Sequence, residues 1–343
     1  MSKTSSLYIL AFSCSLIVSL VLTPAARAAA LVLKVIDHPS SSVKTHKEPV
    51  PYLGGAAIFL SFVFSLLWIR VLTSFPTGTL TSLRGLLLGS CFIFVVGLVD
   101  DVKSGGLHYR EKFAIQALAA GLVMFFGIHI KFIQPEWLAL LLSLFWIVGI
   151  TNAFNIIDVM DGLSSGVSVV ASLAFLFISL PTEEVYVNFA SASLAGAVLG
   201  FMPYNLSKKW RIFMGDGGSL FLGFVISSLA LGTSYRGTST IVVLAPVLIL
   251  LIPIYDTTLV FYLRIKKGIS PFLGSKDHFP LRLEQLGWNR SAILVFALSA
   301  ATFFGFAAAV ITRVSPYTVL WIYAFCALLL VFFTAYILKV KSE

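Results

Sequence analysis

Six aspartates stand at the ends of long apolar runs, beside glycine, asparagine or histidine: Asp100, Asp101, Asp158, Asp161, Asp216 and Asp277. Asp100 and Asp101 close the run Val95-Val96-Gly97-Leu98-Val99. Adjacent carboxylates repel, so such a pair shares a hard cation, accepts a proton, or is simply solvated at a helix end. The block Asn152–Gly162 follows, with Asn152, Asn155 and Asp158 spaced three apart. A helix running through them would set them near one face. Their oxygens suit Mg²⁺ or Mn²⁺ rather than zinc, unless they serve as ordinary caps. In Arg211–Ser219, the Gly215-Asp216-Gly217-Gly218 stretch permits close backbone approach, and free N–H groups at a helix start favour phosphate. No Gly-Lys-Ser/Thr follows, so this is not a Walker A loop. Phe213 either stacks on a base or anchors the membrane interface; the residues alone favour the anchor. The last cluster runs from Lys266-Lys267-Gly268 to Lys276-Asp277-His278-Phe279-Pro280-Leu281-Arg282. Its cations suit anionic lipid, whereas His278 between Asp277 and Arg282 suits a sugar phosphate. Asp256 lies inside an apolar run, where an acid is either functional or buttresses a loop.

The elements that must position these groups follow from composition. Of 343 residues, 58% are hydrophobic and 11% charged, and the mean hydropathy is +0.97. Soluble domains carry about 25% charged residues, so a soluble enzyme, a disordered chain and a disulfide scaffold are excluded. Long apolar runs rather than short alternating ones predict an all-α polytopic transmembrane helical bundle, not a β-barrel. Eleven spans are predicted, near 7–26, 52–73, 83–99, 112–128, 137–153, 163–180, 186–203, 217–233, 239–263, 291–311 and 317–338. Short loops and the absence of repeats make residues 1–343 one integral membrane domain. Cys14, Cys91 and Cys326 show no metal spacing.

Of the 24 Lys and Arg residues, only Lys3, Arg70, Arg84, Lys131, Arg236 and Arg313 fall on one side of this topology. The excess on the other side predicts an outside N-terminus and a cytoplasmic C-terminus, and it accounts for the net charge of +9 without nucleic acid. All six aspartates named first then gather at the cytoplasmic face. The first run, with Lys3 and Ala26-Arg27-Ala28, also has the marks of a signal peptide, but its length favours a retained span.

In their order these motifs resemble the polyprenyl-phosphate N-acetylhexosamine-1-phosphate transferases, which initiate O-antigen, enterobacterial common antigen and teichoic acid chains. The translocase that makes lipid I is a more distant member. The resemblance covers residues 37 to 290. It rests on His46, Pro49, Pro51, Gly54-Gly55, Asp100-Asp101, Lys112, Gln116, Asn152–Gly162, Pro203-Tyr204-Asn205, Phe213–Ser219, Asp256 and Asp277-His278. It implies Mg²⁺-dependent transfer of a sugar phosphate, by default N-acetylglucosamine phosphate, from a UDP-N-acetyl sugar to undecaprenyl or another polyprenyl phosphate. UMP is released at the cytoplasmic face of the inner membrane. It further implies that Asn155 and Asp216 hold the metal, Asp100 acts on the lipid phosphate with Asp101 in support, and Lys112 contacts phosphate. Asp161 and Phe213 would hold uracil, with Asp158 and Lys47 near the nucleotide. His278 would lie by the sugar and diphosphate with Arg282 in the same pocket.

Many bacterial relatives carry His-x-His-His in the last loop; here the stretch is His278-Phe279-Pro280-Leu281. The first histidine implies retained chemistry, while the missing two leave other UDP-N-acetyl sugars open. Direct attack and a covalent aspartyl intermediate both remain open. Relatives commonly form homodimers, though no residue here marks an interface. A transporter is the rival from another class, but its ionisable groups would lie near the midplane within repeats.

Overall fold

Backbone amides and carbonyls find no partner in lipid, so an apolar run that crosses a membrane must satisfy them internally as a helix. The computed structural model describes residues 3–39, 48–75, 77–103, 106–182, 184–235, 240–271 and 275–340. Its first eight helices are α1 (Lys3–Val32), α2 (Gly54–Leu72), α3 (Thr77–Val102), α4 (Tyr109–Phe125), α5 (Glu136–Ile156), α6 (Leu163–Ser179), α7 (Val185–Asn205) and α8 (Gly215–Gly232). The short α9 (Ala245–Ile249) leads into α10 (Leu251–Lys266), and α11 (Phe279–Gln285), α12 (Arg290–Ile311) and α13 (Pro316–Ile337) complete the chain. Two-residue strands, β1 (Ile36–Asp37) and β2 (Val50–Pro51), pair antiparallel.

Among the described residues, nine helices are long and apolar enough to cross a membrane. They correspond to nine of the eleven predicted spans. The predicted 112–128 span is α4, whose 17 residues are at the short end for a crossing. The predicted 239–263 span is not straight: Ile241–Ile249 and Leu251–Lys266 meet at a 75° bend.

Apolar burial gives helices little reason to associate in lipid, so packing relies on small residues and interhelical hydrogen bonds. The sequence supplies both. On α7, Gly196 faces the Phe12 carbonyl of α1 and Gly200 faces that of Leu16. Tyr204 Oη donates to the Leu20 carbonyl at 2.9 Å. Ser65 of α2 donates to the Ala11 carbonyl at 2.7 Å and lies 3.0 Å from Ser193 of α7. The first run is thus a packed member of the bundle. A second seam joins α8 to two helices. Gly55 of α2 abuts Gly218, and Gly97 of α3 abuts Gly217. A Cβ on Gly97 would lie 2.5 Å from the Gly217 Cα. This seam brings the ends of α2, α3 and α8 together, and those of α3 and α8 carry Asp100, Asp101 and Asp216.

Candidate active site

Asp216 stands in the first turn of α8. Gly215 before it has φ +71°, a left-handed conformation in which any side chain would also strike the Asp101 carboxylate. Asp101, at the end of α3, accepts hydrogen bonds from the backbone N–H of Asp216 at 2.7 Å and of Gly217 at 3.0 Å. The free amides that the sequence offered to phosphate are therefore taken by an aspartate from another helix. Tyr52 Oη donates to the Asp101 carbonyl at 2.5 Å. The chain before α2 runs along this loop: Phe213 N donates to the Pro51 carbonyl, Gly54 N to that of Phe213 and Gly55 N to that of Met214, each at 2.9 Å.

Lys112, from α4, bridges the site. Its ammonium pairs with Asp216 Oδ2 at 2.7 Å and with Asp100 Oδ2. Asp100 also accepts from the Leu107 amide. Asn155, in the last turn of α5, donates to Asp216 Oδ1 at 3.0 Å and to Ser219 Oγ at 2.9 Å. One cluster thus unites Asp100, Asp101, Lys112, Asn155 and Asp216 from four helices. Asn152 turns elsewhere, exchanging hydrogen bonds with Gln116 of α4. The predicted single face is therefore divided between α4 and α8, and Asp158 lies beyond the end of α5. Burial, then the charges of Asp161 and Asp216, push the Asp158 carboxyl up to about 8.

Asp161 and Phe213 share one partner. The Arg211 guanidinium pairs with Asp161 and lies 5.0 Å from the Phe213 ring centroid. Gly162, at φ +79°, reverses the chain into α6 and donates its N–H to Asn205 Oδ1 at 2.7 Å. Asn205 Nδ2 in turn donates to the Ile212 carbonyl at 3.0 Å, tying the two loops. Beside them opens a cavity of about 710 Å³ lined by Glu48 and Asp161 and by Arg27, Lys208, Lys209, Arg211 and Arg290. Sequence reasoning missed Arg211 as a site residue. The signal was its place two residues before Phe213, with Asp161 needing a cation from a facing loop.

His278 and Arg282 form a further group. His278 Nδ1 lies 2.7 Å from Asp256 Oδ2. Asp277 pairs with Lys267 at 2.9 Å and lies 3.8 Å from Arg282. Burial raises Asp277, but bonds from Lys267 and Ser275 and the charges of Lys267 and Arg282 outweigh it, holding the carboxyl below its ordinary range. Arg282 itself points to the end of α13, donating to the Ile337 carbonyl at 3.3 Å and the Val340 carbonyl at 2.7 Å. Lys47 and His46 lie outside the described residues.

The chain is similar to known proteins. Residues 83–234 match the model of glycosyl transferase family 4. A probable undecaprenyl-phosphate N-acetylglucosaminyl 1-phosphate transferase of Bacillus subtilis is 32% identical over 344 residues, spanning 97% of this chain and 92% of that protein. The chain belongs to this transferase family. Other members include a decaprenyl-phosphate N-acetylglucosaminephosphotransferase of Mycolicibacterium smegmatis, 29% identical over 77% of this chain and 73% of its own. An undecaprenyl-phosphate alpha-N-acetylglucosaminyl 1-phosphate transferase of Escherichia coli is 26% identical over 92% of this chain and 86% of its own. Membership makes the chain a multi-pass membrane transferase, and the transporter reading falls.

Proposed function

We propose that this enzyme transfers N-acetylglucosamine phosphate from its UDP derivative to undecaprenyl or a related polyprenyl phosphate, releasing UMP at the cytoplasmic face. The observation that carries this reading is the chain of charge Asp100–Lys112–Asp216, drawn from three helices and closed by Asn155. An oxygen of the lipid phosphate attacks the β-phosphorus of the donor. A new P–O bond forms, the bond from that phosphorus to the bridging oxygen breaks, and UMP leaves with the bond's electrons. Lys112 offers three rotatable donors between the two carboxylates, suited to steering phosphate oxygens. Asp100, beside it, orients the lipid phosphate or takes its proton. The cavity beside Asp161 supplies cations for a nucleotide's phosphates, and the Phe213 ring a face for its base.

The donor set also fits Mg²⁺. Asp216 offers a carboxylate and Asn155 an amide oxygen, both hard ligands. Among the described residues no three His, Cys, Asp or Glu side chains are grouped to hold a metal. That suits an ion that draws its remaining ligands from substrate phosphates and water, as Mg²⁺ does. When bound, it would polarise the diphosphate and offset charge on the departing UMP.

The orientation we propose rests on charge. Arg27 near the end of α1 bonds the Arg211 carbonyl beside the site, and Lys112 at the start of α4 pairs with Asp216 and with Asp100 at the end of α3. The basic excess on this side supports a cytoplasmic site and C-terminus, an outside N-terminus, and an inner-membrane location. Initiation of an envelope polysaccharide follows from such a product.

The test is UMP release by purified protein given undecaprenyl phosphate, Mg²⁺ and a panel of UDP-N-acetyl sugars. N-acetylglucosamine is expected to lead the panel, and Asp216→Asn to lower turnover at least a hundredfold in folded protein. Undiminished turnover in that variant would overturn the assignment of Asp216. Absence of UMP release with every donor would overturn the reaction.

A further inference from the structure

Asp256 has no part in the chemistry described above, yet it is a fully buried acid within α10. A buried carboxylate is costly unless its oxygens are bonded. Both are. Oδ2 lies 2.7 Å from His278 Nδ1, and Oδ1 accepts the backbone N–H of Phe279, the first residue of α11, at 2.8 Å. His278 is itself 4% exposed. The segment around it is held at several further points. Arg264 Nε donates to Ser275 Oγ at 3.0 Å, Lys267 pairs with Asp277, and Arg282 grips the end of α13. These contacts would fix the loop without Asp256. The two bonds to Asp256 do something more specific: they define the ring's orientation at one nitrogen and its backbone at the next amide.

We propose that Asp256 is the positioning residue for His278, holding the imidazole through Nδ1 so that Nε2 is the nitrogen offered to the donor's diphosphate. This rests on the reading of His278 given above. An ionised carboxylate only accepts hydrogen bonds, so a ring nitrogen facing it carries the proton. Which nitrogen of a histidine acts is set by the bond the other makes: with Nδ1–H committed to Asp256, Nε2 is the nitrogen left to face the diphosphate, and it donates to a phosphate oxygen when it too carries a proton. The same carboxylate fixes Phe279 N, so ring and main chain are located together and neither can turn without breaking a bond to a buried charge.

The consequence is that Asp256→Asn should damage catalysis through His278 and not through folding. An amide at this position either turns an N–H toward the ring, so that Nδ1 can no longer donate while Nε2 donates to phosphate, or turns it toward the Phe279 N–H, leaving that group unpaired and the ring less firmly held. We expect kcat to fall about a hundredfold, with the KM for UDP-N-acetylglucosamine changed less than about threefold, as for loss of a contact made mainly in the transition state. The decisive comparison is a double-mutant cycle on the full-length enzyme. In a His278→Ala background, Asp256→Asn should cost no more than about twofold, because residues acting as one unit are not additive. A full further loss in that background would overturn the proposal and leave the role of His278 standing. A silent His278→Ala would instead remove the reading on which the proposal rests. A second measurement reads the wild-type ring directly. In ¹⁵N-histidine-labelled wild-type enzyme, the signal assigned to His278 by its loss in His278→Ala should report a protonated Nδ1. A ring protonated at Nε2 alone would overturn the proposal.

Discussion

Replacing Asp101 by asparagine separates two roles that its position would allow. In the structure its carboxylate accepts two amides of the first turn of α8, those of Asp216 and Gly217. It is thus the cap of α8, delivered from α3. An asparagine presents one oxygen, so one amide loses its partner and faces an N–H₂ group. A hydrogen bond to a charged group contributes about 1.5–3 kcal/mol. With Asp101 half-buried, the loss should be about 2 kcal/mol, near the upper end for removal of a helix cap. For a chain of this size that is a fall of about 3 °C in the unfolding temperature. Because one of the two amides is that of Asp216, loosening the cap also moves the Asp216 carboxylate relative to Lys112 and Asn155. A misplacement of about 1 Å at a reacting centre can cost about a hundredfold in rate. Thermal unfolding of the detergent-purified variant and UMP release on the same sample should therefore move together. If Asp101→Asn abolishes turnover while its unfolding temperature stays at the wild-type value, the cap is not its role, and the carboxylate works directly on substrate.

Gly97→Ala places a methyl against the Gly217 backbone, so α3 and α8 must part; UMP release should fall at least tenfold, and wild-type activity would show that the seam yields freely. Arg282→Met removes the donors to the Ile337 and Val340 carbonyls, and should cost about 2 kcal/mol or more of stability while leaving the order of preference among UDP-sugars unchanged. A shifted sugar profile would return Arg282 to the sugar pocket. Asp158 has its carboxyl raised to about 8, so folding favours its neutral form. Its contribution is present below about pH 4 and lost as pH rises through about 8. In metal-free buffer, Asp158→Asn should flatten the decline in unfolding temperature between those limits; an unchanged slope would show that another group carries it.

The helices were legible in the sequence because each apolar run must close its own hydrogen bonds in lipid, and that demand is local. The 75° bend at Leu250 was not, because the run is apolar on both sides of it and the packing around it decides where it turns. In the site, Asp216, Asn155 and Asp100 could be named from type and neighbourhood, and Lys112 through the family resemblance, and they do converge. What could not be read was the partner of each. The cap on α8 comes from Asp101, 115 residues earlier, and the partner of Asn152 is Gln116 of another helix. Arg282 shows the limit most clearly. Beside His278 it looked like a substrate cation, but its fork is occupied by the carbonyls at the end of α13, more than fifty residues onward.

The pairing of α1 with α7 has a consequence for the order in which the molecule is made. Tyr204 and the Leu20 carbonyl it bonds are 184 residues apart, as are Arg27 and the Arg211 carbonyl. At about 5–20 residues per second, the first helix leaves the ribosome about 10–40 s before its partner exists. Throughout that interval it must stand in the bilayer with its polar stripe unmatched. Two of its hydroxyls are already provided for from within: Ser15 donates to the Phe12 carbonyl at 2.9 Å and Thr23 to that of Ser19 at 2.7 Å. These bonds need no other helix, so α1 can wait in lipid as a stable span and then receive α7 against the carbonyls of Phe12, Leu16 and Leu20.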